Sequence, residues 1–416
     1  MVLKQFTQLS FIVVSRMNVK SDFGIYDEIP TLAYFDSAST TLVPKSSVNA
    51  TSNFLNSVVA SARRGAHRLA VKGSDTVETT RRSLSQFLET EHAFISFQKS
   101  IPSTIASFVY GYDWKNSKKN KVIISQSEEN SVFVSILRAA EVLRLDVEIA
   151  PIETDGSVSL SLLDSLVDDR TGIVAVGHVI PGVGTRNAIS DVAEIVHSHD
   201  AVLLTDITRS IGLLEDSPIH LGSDLLVFSA NIGLMGPPGL AVQWINPSIE
   251  RNHIPGILGG SSISNVQGKK YETAFQPDKF ESGYLNIPAI AGLESSIKYL
   301  SNLRSKGMTN HLANLSKYMR KRLSEIDGLT LYGAPSDETT IFGFNLGDTS
   351  EIGCHDIALF LDESNIAVRS GLVCAHSLIQ SIAQDGLIQV SIHVYNSMTD
   401  IDNLATTLTT IREQLL

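Results

Sequence analysis

Val227-Phe228-Ser229-Ala230-Asn231-Ile232-Gly233-Leu234-Met235-Gly236-Pro237-Pro238-Gly239 runs from an apolar stretch straight into a turn built of glycine and proline. The spacing predicts a buried strand over 224–229, a tight loop, and a second strand over 240–245. Gly236, Pro237 and Gly239 suit the loop, because glycine reaches backbone angles closed to other residues and proline presets its own. Towards the N-terminus the rhythm repeats. Short apolar runs at 121–125, 146–150, 172–176 and 201–205 read as strands, and 132–145, 160–167 and 189–199 between them read as helices. Strands and helices alternating at these lengths predict βα units and a mostly parallel sheet. Towards the C-terminus a helical stretch fills 288–326, with Pro288 suited to a first turn and Gly292 and Gly307 interrupting it. Runs at 329–332, 340–345, 367–369 and 388–394 then read as strands, and 355–365 and 400–415 as helices. The expected fold class is α/β, a large domain with a mostly parallel sheet plus a smaller C-terminal α/β domain.

The chain has 416 residues, of which 43% are hydrophobic, enough for a sizeable core. A formal net charge of -11 argues against non-specific nucleic-acid binding. The only cysteines are Cys354 and Cys374, which excludes a disulfide framework and makes a reducing, cytoplasmic setting the expectation. No zinc-type ligand spacing occurs, and no metal is expected. No stretch approaches eighteen apolar residues, so no membrane span is expected. The run 9–14 is short and closely followed by Arg16. Met17 is an alternative start that would make 1–16 an extension outside the folded protein.

Further motifs occur in a fixed order. They are Tyr34-Phe35-Asp36-Ser37-Ala38-Ser39, Arg64-Gly65-Ala66-His67, Ile124-Ser125-Gln126-Ser127-Glu128, His178 with Gly184-Thr185, and Leu204-Thr205-Asp206. Gly259-Gly260, Phe280-Glu281-Ser282-Gly283, Val368-Arg369-Ser370-Gly371 followed by Cys374, and Tyr395-Asn396 complete the series. Together with the opening loop this string, over roughly 33–412, resembles the class V aminotransferase-fold family, most closely the SufS-like cysteine desulfurases and selenocysteine lyases. The resemblance implies a type I PLP-dependent transferase fold, with a large domain at 33–290 and a small domain formed by 1–32 and 291–416. It also implies a homodimer, and as partner an iron–sulfur scaffold or another sulfur-acceptor protein.

By the same resemblance, Ile232 stands where the family has the lysine that forms the Schiff base with pyridoxal phosphate (PLP), and Asn231 where a histidine precedes it. An isoleucine has no amine and forms no imine. Asp206 matches the aspartate that pairs with the ring nitrogen, and His178 lies on the neighbouring strand. Glu129 takes the place of the ring-stacking histidine. Phe97-Gln98-Lys99-Ser100 takes the place of the phosphate loop, where Lys99 and Ser100 are the remaining anion-binding candidates. Pro181 and Arg209 replace an asparagine and a glutamine at the ring hydroxyl, and Tyr284 replaces a cross-subunit threonine. On the substrate side Gln389 replaces an arginine that clamps a carboxylate, which removes the charge of the bidentate pair. Asn396 lies nearby. Cys374 matches the nucleophilic cysteine that becomes a persulfide, and Arg369 and His376, if close in space, favour its thiolate.

These substitutions cluster in one pocket while the frame around them is kept. The resulting expectation is a cysteine desulfurase-like protein without PLP catalysis. It would bind PLP non-covalently or not at all, and act in sulfur transfer or iron–sulfur cluster assembly through Cys374. The alternatives are an active desulfurase with non-standard cofactor binding, using Lys99, Lys269 or Lys270 as substitute amine, and a non-catalytic structural or regulatory subunit.

Overall fold

In the computed structural model, which describes residues 17–214, 217–251, 253–335, 339–349 and 352–415, the sheet predicted around the opening loop is present. The run 1–16 lies outside the described residues. In chain order the strands are β1 (Ala33–Tyr34), β2 (Ile95–Gln98), β3 (Lys121–Ser125), β4 (Asp146–Ala150), β5 (Thr171–Ala175), β6 (Val202–Asp206), β7 (Leu225–Ser229) and β8 (Ala241–Ile245). They continue as β9 (Ile263–Gln267), β10 (Lys270–Thr273), β11 (Leu329–Tyr332), β12 (Ile341–Leu346), β13 (Ile366–Ala367), β14 (Arg369–Gly371) and β15 (Leu387–Ser391). The seven-stranded sheet has the order β2-β8-β7-β6-β5-β3-β4. Only β8 runs against its neighbours. Every residue of β3, β5 and β6 is buried, as the apolar runs require in a sheet covered on both faces.

A second, four-stranded antiparallel sheet has the order β11-β12-β15-β14. The N-terminal segment bonds to this C-terminal part of the chain. β1 pairs in parallel with β13, and Ser391 at the end of β15 donates its N–H to Phe35 O at 2.7 Å. The run 367–369 is thus split between two strands, and the strand expected to reach 394 ends at Ser391.

The helical stretch breaks only once. Gly307, with φ of +88°, separates the helix Ile287–Ser305 from Met308–Ser324, whereas Gly292 lies inside the first helix. Close approach accounts for Gly292: a Cβ there would stand 2.4 Å from both Pro237 Cγ and Thr51 Oγ1. The opening loop therefore packs on this helix, and the helix on Lys45–Ser57 and Arg68–Leu88. Position 290, the expected domain boundary, falls within it. Among the described residues no helix is long and apolar enough to cross a membrane.

Candidate functional site

In an open parallel sheet, ligands meet the C-terminal strand ends. Here those ends present Asp206 from β6 and Ser127, Glu128 and Glu129 just after β3. Asp206 is buried, and its Oδ1 accepts the Thr208 N–H at 2.7 Å. Burial pushes its carboxyl up to about 6, against the pull of the Thr208 hydrogen bond and the Arg209 guanidinium. Glu128 is only 2% exposed, and burial, reinforced by the Asp206 charge, pushes it up to about 8. Its Oε1 and the Arg209 Nε find no hydrogen-bond partner among the described residues. Glu129 is half-buried and accepts a short hydrogen bond from Ser131 Oγ. His178 is buried, its N–H donating to Asp206 O at 2.9 Å.

Ile232 is 8% exposed and packs near Leu213, Ala38 and Ile341. Its loop is pressed onto the turn after β6. A Cβ on Gly233 would lie 1.9 Å from Ile211 O, and one on Gly212 would lie 2.5 Å from Gly233 O. Asn231 is held from the other side, accepting Thr41 N and Oγ1, both at 3.0 Å. Position 232 is thus fixed beside the Asp206 pocket with no amine to offer.

The segment that the resemblance puts in place of the phosphate loop does open a helix, Ile101–Gly111. Ser100 caps it, its Oγ accepting the Ser103 N–H at 3.3 Å. Phe97 ends up in β2, fully buried, and Lys99 is exposed. A cavity of about 130 Å³ lies here, lined by residues that include Lys99, Ser103, Tyr284 and Asn286. Lys269 and Lys270 sit at the exposed turn of the β9–β10 hairpin.

Cys374 lies half-buried in the loop between β14 and the helix His376–Ile382. Arg369 Nη2 donates to its Sγ at 2.8 Å, and Arg369 Nη1 to Ser39 Oγ at 2.7 Å. Ser39 in turn donates to Asp36. The loop is pinned to the start of the helix Asn130–Leu143. The Asn130 N–H donates to Cys374 O at 2.7 Å, and Asn130 Oδ1 accepts the His376 N–H at 3.4 Å. Val373 and Cys374 have φ of +39° and +58°, a region that costs non-glycine residues energy. The structure thus brings Arg369 onto the thiol. His376 is exposed, with no hydrogen bond or ion pair from its ring to Cys374 among the described residues.

The remaining substrate-side candidates are spent on backbone. Gln389 Oε1 accepts the Gly182 N–H at 2.9 Å, while Asn396 accepts from His393 N and donates to Tyr34 O. Sequence reasoning missed Glu128 as a site acid, and Ser39 and Asn130 as the groups that hold Arg369 and the cysteine loop. The signal for Glu128 was the adjacent Glu128-Glu129 pair at a strand end; for the other two there was none.

A large, mostly parallel sheet with a small antiparallel companion, and a pocket at the aspartate-bearing strand end, define the type I PLP-dependent transferase fold. The sequence pattern of the aminotransferase class-V family matches residues 33–404, and the chain belongs to that family, on its cysteine desulfurase-like side. A probable cysteine desulfurase of Methanothermobacter thermautotrophicus is 29% identical over 388 residues, 92% of this chain and 96% of that protein. The apo cysteine desulfurase of Thermococcus onnurineus NA1 superposes with a TM-score of 0.87 at 26% identity, covering 95% of this chain and 98% of that one. A more distant structure, a C-DES mutant with glycine covalently linked to its PLP cofactor, shares the fold at 16% identity and a TM-score of 0.79, over 92% and 98% of the two chains.

The family therefore implies PLP. The residues present do not fit it. By the resemblance, an isoleucine stands at the lysine position and a carboxylate at the stacking position, and the two voids lined by Arg209 each offer only about 10 Å³. That is about the room one water needs, far short of a pyridine ring.

Proposed function

We propose that this cysteine desulfurase-like chain has given up PLP catalysis and accepts sulfane sulfur on Cys374, for delivery to an iron–sulfur scaffold or another sulfur-acceptor protein, as a cytoplasmic homodimer. The observation that carries the reading is the Arg369 guanidinium 2.8 Å from Cys374 Sγ, in a chain with Ile232 where the resemblance expects the lysine. A guanidinium so placed, itself steadied by Ser39, is suited to hold a thiolate or a persulfide anion through a charge-assisted hydrogen bond. In the transfer, the Cys374 thiolate attacks the outer sulfur of a donor persulfide. A new S–S bond forms on Cys374, the donor's S–S bond breaks, and the donor leaves as its thiolate. The proton stays with the transferred sulfur or passes to solvent, and no external oxidant is needed.

The test is intact-protein and peptide mass spectrometry after incubation with a persulfide-bearing donor protein. Gain of one sulfur atom on the Cys374 peptide, lost on adding a thiol acceptor, is the expected result. No gain, or gain on Cys354 alone, overturns the reading. One observation favours an active desulfurase instead, namely that Asp206 keeps its place at the end of β6. Release of alanine and sulfide from cysteine in the presence of added PLP would establish that second reading and sink the first.

A further inference from the structure

Two voids flank the pocket, and one residue lines both. The first is bordered by Glu128, Glu129, Pro181, Asp206 and Arg209. The second is bordered by Ala38, Arg209, Leu213, Ile232 and His393. Arg209, 9% exposed, is the residue common to the two linings. On one side of it stands the carboxylate that this fold aims at a pyridine ring, and on the other the position from which this fold supplies the amine.

We propose that Arg209 is a built-in plug of the cofactor pocket: its guanidinium takes the space between Asp206 and Ile232 and serves as the internal counter-ion of Asp206, so that PLP is rejected even as a loosely held ligand. This deepens the reading above, in which PLP chemistry has been lost, and it assigns the loss to a residue other than the missing lysine. Three physical points support it. A cationic ring nitrogen and a guanidinium would compete for one buried carboxylate, and their like charges repel at short range. Displacing Arg209 would push a charge, whose Nε already lacks a partner, against Leu213 and Ile232, where an unpaired ion costs several kcal/mol. The loop bearing Ile232 cannot retreat to make room, because Gly233 already meets the Ile211 carbonyl with no space for a Cβ. Free space lies instead beside Lys99, about 130 Å³ open to an anion, in a cavity that shares no lining residue with either void.

The experiment compares the full-length wild type with Ile232→Lys, Arg209→Gln and the double variant. The probes are PLP, and pyridoxal without phosphate to separate ring binding from anion binding near Lys99. Equilibrium dialysis and visible absorbance give affinity; borohydride reduction with peptide mapping locates any fixed pyridoxyl group. Wild type and Ile232→Lys are expected to show only unsaturable background with pyridoxal, and no pyridoxyl group fixed at position 232 with either probe. Arg209→Gln is expected to bind both saturably, at least about tenfold more tightly than wild type. The double variant is expected to fix one pyridoxyl group on the introduced lysine, the amine and aldehyde having condensed with loss of water. Saturable binding of pyridoxal by wild type, or stoichiometric labelling of Ile232→Lys alone, overturns the proposal. So does a folded double variant, checked by a cooperative melt, that stays unlabelled. Arg209→Ala replaces Arg209→Gln in both roles if the latter does not fold. Persulfide loading of Cys374 uses no PLP, so its failure would strike the sulfur-carrier reading and leave the plug standing, and the converse holds.

Discussion

At the scale of the residue, the proposed sulfur site at Arg369 and Cys374 and the buried acid Glu128 differ in how far the sequence reveals them. Arg369 and Cys374 are five positions apart in a recognisable string, and they meet at 2.8 Å. Replacing Arg369 by glutamine removes the charge while keeping a donor. The rate of Cys374 alkylation at neutral pH should fall about tenfold, the worth of about 1.4 kcal/mol of charge-assisted hydrogen bonding, with unchanged thermal stability. An unchanged rate in stopped-flow or mass-resolved labelling would show that the guanidinium does nothing for the sulfur. Glu128 was not legible as an acid of the site, because its role comes from burial and burial comes from the fold. Its carboxyl is pushed from 4.5 up to about 8. Below pH 4.5 both the folded and the unfolded chain bind this proton, and its stabilising contribution is complete. As pH climbs from 4.5 towards 8, the unfolded chain releases the proton while the folded chain must hold it or bury a charge, so the contribution drains away. Glu128→Gln has no proton to lose. Its melting temperature should match the wild type near pH 5 and exceed it near pH 8 by a few degrees, at about 1 °C per kcal/mol for a chain of 416 residues. Parallel melting curves across that range would refute the assignment.

At the scale of the element, the sequence was most legible where one residue type recurs over a whole segment, as in the buried runs that became β3, β5, β6 and β7. It was least legible where a single long-range contact decides. Gly292 reads as a helix breaker by propensity, yet it sits within Ile287–Ser305 because Thr51 and Pro237 fill the place of its side chain. Gly292→Ala is therefore a sign test. Propensity alone predicts a gain of about 1 kcal/mol in a helix interior. Overpacking against Pro237 Cγ and Thr51 Oγ1 predicts a loss of about 1–3 kcal/mol. We expect the loss to win, seen as a lower urea midpoint, since both neighbours belong to packed elements and the contact distance is 2.4 Å. A raised midpoint would mean the helix yields more easily than this packing implies. The same reasoning explains the cysteine loop. Nothing local announces that Asn130 holds it, because the tie runs from the first residue of the helix Asn130–Leu143 to a loop far away in the chain.

At the scale of the whole molecule, one feature is out of balance with a lone chain. The β9–β10 hairpin is nearly all exposed, and a two-stranded hairpin is marginal in water without something to cover it. It carries Val266 and Tyr271, and just beyond it Phe275 is 88% exposed. Ile254, Ile257 and Tyr284 are further exposed apolar side chains in the neighbouring stretches of chain. Single exposed apolar residues are ordinary, but a group of them around a projecting hairpin is the usual sign of a protein partner. In the homodimer proposed above, a second copy of the same surface would supply that cover. Phe275→Ala should then weaken self-association by about 2 kcal/mol, roughly thirtyfold, as loss of a buried aromatic anchor does. Phe275→Ala combined with Tyr271→Ala should give monomer at micromolar concentration in sedimentation velocity, with secondary structure intact. Cys374 alkylation in that monomer separates two roles for the contact. An unchanged rate would mean the interface serves stability alone. A faster rate would mean that the second subunit also shields the Cys374 loop, so that sulfur transfer from a donor would compete with dimerisation. Wild type that sediments as a monomer at every concentration would end the dimer reading and leave the hairpin to a different protein.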